Sequence, residues 1–231
     1  MAFDCWTDLV TQGMTARAAL GNAAYADYER QPPAQRKPWL LGRIAAKDAV
    51  RFRLWDDGHT DVYPVELTVT NDPDGRPRVR TSPMRDFRAH DVSLAHTGEI
   101  GVAIAKAREP GAPADAPGVG IDVAEITQRP ASTVDFALSD GERSLLASLG
   151  GEAAEWFTRF WVAKEAAGKA EGTGLAGNPR RLAVVAATPE TLTVEVAGRV
   201  YRVGQRIVSN PDGLPPRRYV VGWTWGPDPT S

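Results

Sequence analysis

The sequence predicts an α+β fold of two similar lobes, on three observations. A connector from Arg108 to Gly118 (REPGAPADAPG) is rich in proline, glycine and alanine and has no apolar periodicity, so it divides the chain into halves of similar length. Each half holds a helical pattern followed by strand-like runs. The two helical patterns share a signature, Ala46-Lys47-Asp48-Ala49 in one and Ala163-Lys164-Glu165-Ala166 in the other. Helix then strands, twice, suggests two lobes related by duplication, although so short a match also arises by chance. The lobes are expected over 1–110, with a leading helical segment 1–38, and over 111–231, the second carrying the residues that bear chemistry.

The elements follow in order. Met14 to Arg30 spaces Ala16, Ala19, Leu20, Ala23, Ala24 and Tyr28 at helical intervals, and Pro32-Pro33 ends that pattern. Leu40, Leu41, Ile44, Ala45, Ala49 and Val50 mark the next helix. Val65 to Val69 and Val92 to Ala105 read as strands, and Asp74-Gly75 is a tight turn in a polar loop. In the second half, Val119 to Val123 is an apolar strand. Ser139-Asp140 with Glu142 is a helix start leading into Leu145-Leu146. Phe157, Phe160, Trp161 and Ala167 belong to a further helix, and Leu182 to Ala186, Leu192 to Val196 and Tyr219 to Trp225 are strands.

Composition narrows the function. Apolar content of 42% and charged content of 24% are ordinary for a globular protein, and a net charge of −2 argues against nucleic-acid binding through bulk positive charge. A single cysteine, Cys5, precludes an intramolecular disulfide, and no Cys/His cluster offers a structural zinc site. The start MAFDCWTDLV lacks the basic residues and apolar run of a signal peptide, and no stretch approaches the roughly 20 apolar residues of a membrane span. A cytoplasmic protein that does not engage membranes is expected. The spellings GxxxxGK[ST], HExxH and GxSxG do not occur. Gly118-Val-Gly120 lacks the third glycine of a dinucleotide fingerprint and precedes a strand instead of following one, so a dinucleotide-binding fold is excluded.

Two segments carry chemistry. Helical spacing places Trp161, Glu165 and Lys169 in one i, i+4 row, which is either a surface ion pair beside a core tryptophan or part of a site. Gly168 inside this helix costs about 1 kcal/mol relative to alanine, which predicts a close approach there. Asp122 ends the apolar strand. It is either a turn aspartate or, facing Glu165, half of a hard-oxygen pair suited to magnesium with positions left open for phosphate oxygens. In Val92-Ser-Leu-Ala-His96-Thr97-Gly98 a histidine ends a strand pattern, either as a structural residue or, with the threonine hydroxyl and open N–H groups, as an anion contact. His59 and His90 lie in polar loops and carry no further signal.

Gly120-Ile121-Asp122, followed after about forty residues by Trp161-x-x-Lys164-Glu165-Ala-x-x-Lys169-x-x-Gly172-x-Gly174-Leu175, closely resembles the 4'-phosphopantetheinyl transferases of the larger, surfactin-synthetase-activating type. His96-Thr97 matches that family's Ser-His-Ser-like element, Gly75-Arg76-Pro77 its Gly-Lys-Pro loop, and Leu41-Gly42-Arg43 with Lys47 its first-half helix. The stretches WLLGRIAAKDAVR, YPVEL and DGRP also resemble transferase domains attached to large polyketide and polyunsaturated-fatty-acid synthases.

The resemblance implies a pseudo-twofold pair of α+β lobes with the active site in the cleft between them. It implies Mg²⁺-dependent transfer of phosphopantetheine from coenzyme A to a serine of an apo acyl or peptidyl carrier protein, releasing adenosine 3',5'-bisphosphate. By the same resemblance Asp122 and Glu165 would hold the metal. Glu165 would take the serine proton and Lys169 would stabilise the departing bisphosphate. His96, Thr97 and Arg76 would bind the nucleotide part of coenzyme A, with Arg43, Arg36 and Lys37 as candidates for its 3'-phosphate. A monomer is expected.

One departure matters. Many members carry a third acid two residues after the aspartate, where this chain has Ala124, with Glu125 next. Alternation along a regular strand points Glu125 away from the Asp122 face, and only a bulge would return it. Two further function classes stand beside the transferase: a non-catalytic scaffold that binds coenzyme A or a carrier, supported by Ala124, and a hydrolase of pantetheine groups, against which the complete tryptophan-to-Lys169 run argues. Carrier proteins are usually acidic, and the arginines at 76, 78, 80, 85, 88, 180 and 181 are either a docking patch or a solvated face.

Overall fold

The computed structural model describes residues 2–3, 9–81, 85, 87–113 and 115–229, so Cys5 lies outside the described residues. The fold is α+β, and the chain divides into two units, Met1–Ala114 and Asp115–Ser231.

The first unit contains strand β1 (Ala2–Phe3), helices α1 (Leu9–Arg30) and α2 (Pro33–Asp56), and strands β2 (Leu67–Asn71), β3 (Pro77–Thr81), β4 (His90–His96) and β5 (Ile100–Ala107). Pro33 does more than end α1. Its fixed φ and missing N–H suit the first turn of a helix, so residues 33–38 open α2. Helix α1 breaks at Gly21 (φ 74°, ψ 172°). Lys47, on α2 and 1% exposed, donates from Nζ to the Ala19 carbonyl at 2.7 Å and the Leu20 carbonyl at 3.3 Å, occupying acceptors beside the break.

The apolar run from Val92 to Ala105 is a hairpin and not one strand. The β4 and β5 strands pair antiparallel, and the β1 strand adds to the outer edge of β5. Thr97 makes the turn: its N–H donates to the Ile100 carbonyl at 2.8 Å, and its hydroxyl accepts from the Glu99 and Ile100 N–H groups, each at 3.3 Å. Helix α2 lies so close to β5 that a Cβ at Gly101 would sit 2.5 Å from the Leu41 carbonyl. A second hairpin joins β2 to β3 through Gly75 at φ 82°, the turn that Asp74-Gly75 predicts.

The second unit holds β6 (Gly120–Glu125), α3 (Ala131–Ala137), α4 (Asp140–Ser148), α5 (Ala153–Glu171), β7 (Ala183–Ala187), β8 (Thr191–Val196), β9 (Arg199–Ser209) and β10 (Arg218–Thr224). The strands form an antiparallel sheet in the order β6-β10-β9-β8-β7. Helix α5 covers it. Phe160, Ala163, Ala166, Ala167 and Ala170 are fully buried, and a Cβ on Gly120 would meet the Ala166 carbonyl at 1.8 Å, so only glycine admits this approach. The helix start expected at Ser139 is a capping box, in which Ser139 Oγ accepts from the Glu142 N–H at 3.3 Å and Glu142 Oε2 accepts from the Ser139 N–H at 2.8 Å.

Lys164 is buried completely. Its Nζ meets Glu142 Oε1 at 2.8 Å and donates to the carbonyls of Ala137 at 2.7 Å and Pro179 at 3.1 Å. The repeated lysines Lys47 and Lys164 therefore act alike: each buries its ammonium on backbone carbonyls and fixes the rotation of a long helix. No described helix is long and apolar enough to cross a membrane.

Candidate active site

Strand β6 and helix α5 bring three predicted residues together. Asp122 lies in the middle of β6, two residues before Ala124 and three before the strand's end, and is 9% exposed. Lys169 Nζ contacts Asp122 Oδ1 at 2.7 Å and the Ile121 carbonyl at 3.1 Å. Glu165, half-buried one turn before Lys169, has its carboxyl raised above the usual carboxylate range, first by burial and then by the charge of Asp122, with Lys169 acting in opposition. The site thus holds two carboxylates that repel one another and an ammonium already drawn to one of them.

That donor set fits a divalent, oxygen-seeking cation. The lysine ammonium occupies the place of positive charge beside Asp122, and further positive charge would relieve Glu165. Among the described residues no group of three His, Cys, Asp or Glu side chains converges, so the acids available are Asp122 and Glu165. Position 124 contributes no carboxylate. The β6–β10 register runs unbroken from Gly120↔Thr224 to Glu125↔Tyr219, so no bulge brings Glu125 to the Asp122 face. Glu125 instead approaches Arg217 at 3.7 Å.

Gly168 has the predicted close neighbour. A Cβ there would lie 2.7 Å from the carbonyl oxygen of Gly174, and the Gly168 carbonyl receives the N–H groups of Gly172 at 2.9 Å, Thr173 at 3.1 Å and Gly174 at 2.9 Å. Gly172 caps α5 in the left-handed region at φ 85°. The segment after Lys169 is thereby folded back onto the helix that carries the site. Towards the start of α5, Phe157, Thr158 and Trp161, with Ala124, Arg129 and Thr133, line a groove of about 160 Å³. The sequence reading singled out Trp161 and Ala124 but had no signal for Arg129 or Thr133.

The other predicted residues lie in the first unit. His96 ends β4 against Gly42 of α2, where an added Cβ would sit 2.9 Å from the imidazole Cδ2. Arg43, the next residue, donates from Nη1 to Asn71 Oδ1 at 3.4 Å, and Asn71 pairs with Pro77, the neighbour of Arg76. His96, Arg43 and the Arg76 turn are thus arranged around one stretch of α2. Arg36 is committed elsewhere: Nε donates to the Gln31 carbonyl at 3.1 Å and Nη2 to the Glu29 carbonyl at 2.7 Å, closing the α1–α2 turn. Lys37 is half-buried in the opening turns of α2, and Thr97 spends its acceptor capacity on the hairpin. Of the arginines considered for a docking face, Arg78 pairs with Asp72, Arg85 with Asp61 and Glu66, and Arg88 with Glu109.

Residues 118–223 match a family model, ACPS, described as the 4'-phosphopantetheinyl transferase superfamily, and that span contains Asp122, Glu165 and Lys169. No curated protein matches the chain significantly. Among solved structures, the chain is similar to a holo-(acyl-carrier-protein) synthase from Bacillus anthracis str. Ames in complex with CoA (3',5'-ADP). The identity is 21%, over 48% of this chain and 96% of that one, with a TM-score of 0.33.

Proposed function

We propose that this protein is a 4'-phosphopantetheinyl transferase of the larger, two-lobed type, acting on coenzyme A and an apo acyl or peptidyl carrier protein. The observation that carries the reading is the Asp122–Lys169 contact beside Glu165, inside the span that matches the family model. Asp122 and Glu165 would hold Mg²⁺, which when bound supplies neutralisation of charge on the pyrophosphate. Glu165 receives the proton of the carrier serine. The serine Oγ forms a bond to the β-phosphorus of coenzyme A while the bond from that phosphorus to the bridging oxygen breaks. The electron pair departs on adenosine 3',5'-bisphosphate. Lys169, one turn beyond Glu165, holds that departing charge. His96, Arg76 and Arg43 bind the nucleotide end. With Ala124 in place of an acid, Asp122 and Glu165 would be the carboxylates that hold the metal.

Intact-protein mass spectrometry of apo carriers incubated with the protein, coenzyme A and Mg²⁺, with and without EDTA, tests this. A metal-dependent gain of one phosphopantetheine per carrier is expected. Unmodified carriers together with intact coenzyme A binding would replace the transferase by the binding scaffold, and free pantetheine without carrier modification would replace it by a hydrolase.

A further inference from the structure

Two acids lie near Lys169, and its ammonium takes the one on the other element. Glu165 stands at i, i+4 spacing on the same helix, the ordinary arrangement for an ion pair. The ammonium nevertheless crosses to β6, where Nζ meets Asp122 Oδ1 at 2.7 Å and the Ile121 carbonyl at 3.1 Å. It acts on Glu165 through its charge, and that carboxyl still stays raised by burial and by Asp122. One ammonium thus serves one carboxylate of two, whereas a divalent cation would serve both.

Lys164 shows what a structural contact looks like in the same helix: ammonium and Glu142 are both fully buried. The Lys169 side chain is 29% exposed and that of Asp122 12%, so solvent reaches this pair and the ammonium has a way out. The α5 backbone cannot follow it, because the Gly168 carbonyl holds the N–H groups of Gly172, Thr173 and Gly174. A flexible four-carbon stem lets the charge move while the helix stays. Two cations on Asp122 would repel one another, and burial leaves that repulsion weakly screened.

We propose that Lys169 is the counter-ion of Asp122 until a divalent cation binds Asp122 and Glu165, that it then yields Asp122 to the cation, and that phosphate oxygens of a bound ligand receive the displaced ammonium. Lys169 thereby makes cation binding and phosphate binding interdependent. The exchange needs only the two acids. Its phosphate acceptor rests on the transferase reading, in which it is the pyrophosphate group of coenzyme A.

The test is Mn²⁺ binding to the full chain, read from the electron paramagnetic resonance signal of free Mn²⁺, first without nucleotide. Lys169→Met is expected to bind Mn²⁺ at least about tenfold more tightly than wild type, because the competing charge is gone. Lys169→Arg keeps the charge and the ion pair, and its fork is expected to bind Mn²⁺ no more tightly than wild type. Asp122→Asn is expected to abolish the tightening that Lys169→Met produces. Saturating coenzyme A should then tighten Mn²⁺ binding by at least about fivefold more in wild type than in Lys169→Met. A Lys169→Met affinity at or below wild type, or a Lys169→Arg affinity above it, overturns the exchange. An equal gain from coenzyme A in both proteins overturns the coupling. Absence of Mn²⁺ binding in wild type and in Lys169→Met removes the metal reading and this inference with it. Tightening in Lys169→Met alongside carriers that stay unmodified supports the exchange and counts against the transferase reading alone.

Discussion

Gly168→Ala sets two effects of opposite sign against each other. In a helix interior alanine is favoured over glycine by about 1 kcal/mol, so propensity alone predicts a more stable protein. The added methyl, however, would stand 2.7 Å from the Gly174 oxygen and 2.8 Å from its carbon, well inside the 3.4 Å at which ordinary contact begins. The Gly174 backbone cannot swing away freely, because its N–H is bonded to the Gly168 carbonyl at 2.9 Å and its φ is 54°. Overpacking of this kind costs about 1–3 kcal/mol, which outweighs the propensity gain and leaves the variant less stable by roughly 1 kcal/mol. Gly13, inside α1 with nothing within 4 Å of a built Cβ, is the control, and Gly13→Ala should stabilise by about 0.5–1 kcal/mol. Paired thermal and urea melts read the two signs. The displaced segment begins just after Lys169, so Gly168→Ala should also slow carrier modification, while Gly13→Ala should not. A Gly168→Ala protein stabilised as much as Gly13→Ala would refute the close approach.

Other outcomes bear on the site and its supports. Asp122→Asn and Glu165→Gln should each lower carrier modification by about 100-fold or more in single-turnover assays, because each removes charge that the displacement requires. Glu125→Ala should stay within about twofold of wild type at saturating Mg²⁺, since the unbroken β6–β10 register turns it from the Asp122 face, and a steep new Mg²⁺ requirement would contradict that placement. Lys164→Met should destabilise by about 3–5 kcal/mol in urea titrations, because it strands the Glu142 carboxylate in a buried site. Lys47 gives a pH signature. Burial, assisted by Arg43, lowers its ammonium to about 8 from 10.5, so between those values the unfolded chain holds the proton that the folded chain has released. Stability should therefore rise with pH across that window, by up to about 1.4 kcal/mol per unit relative to Lys47→Met, and parallel pH profiles of the two proteins would count against a buried ammonium.

What the sequence made legible is what local chemistry decides. The Ser139–Glu142 capping box, the Asp74-Gly75 turn and the Glu165–Lys169 row are set by side chains a few residues apart, and each is present in the fold. Gly168 was informative for the opposite reason: a residue that disfavours the helix announces a neighbour that only tertiary structure supplies. Strand β9 was missed although Tyr201, Val203 and Gln205 alternate inward, because Arg202, Gly204 and Arg206 between them dilute the apolar signal. The Val92–Ala105 run was read as continuous because a threonine hydroxyl closing a turn looks, in sequence, like any polar interruption.

The two matching tetrapeptides raise a different point. Sequence reading gave weight to the acid in Ala-Lys-Glu-Ala, yet the residue that behaves alike in both units is the lysine, which anchors each helix through backbone carbonyls. The acids diverge. Asp48 closes on Arg51 at 3.0 Å, whereas Glu165 meets another carboxylate and an ammonium from a later turn. A buried lysine of this kind fixes the rotation of its helix, and rotation determines which way the next residue points. With the rotation of α5 set by Lys164, the adjacent Glu165 is carried to the Asp122 side of β6. In α2 the equivalent acid is satisfied within its own helix. The shared signature therefore marks a common way of anchoring a long helix to neighbouring helices and turns, and the two units differ in what surrounds the acid beside the lysine, Arg51 in the first and Asp122 with Lys169 in the second.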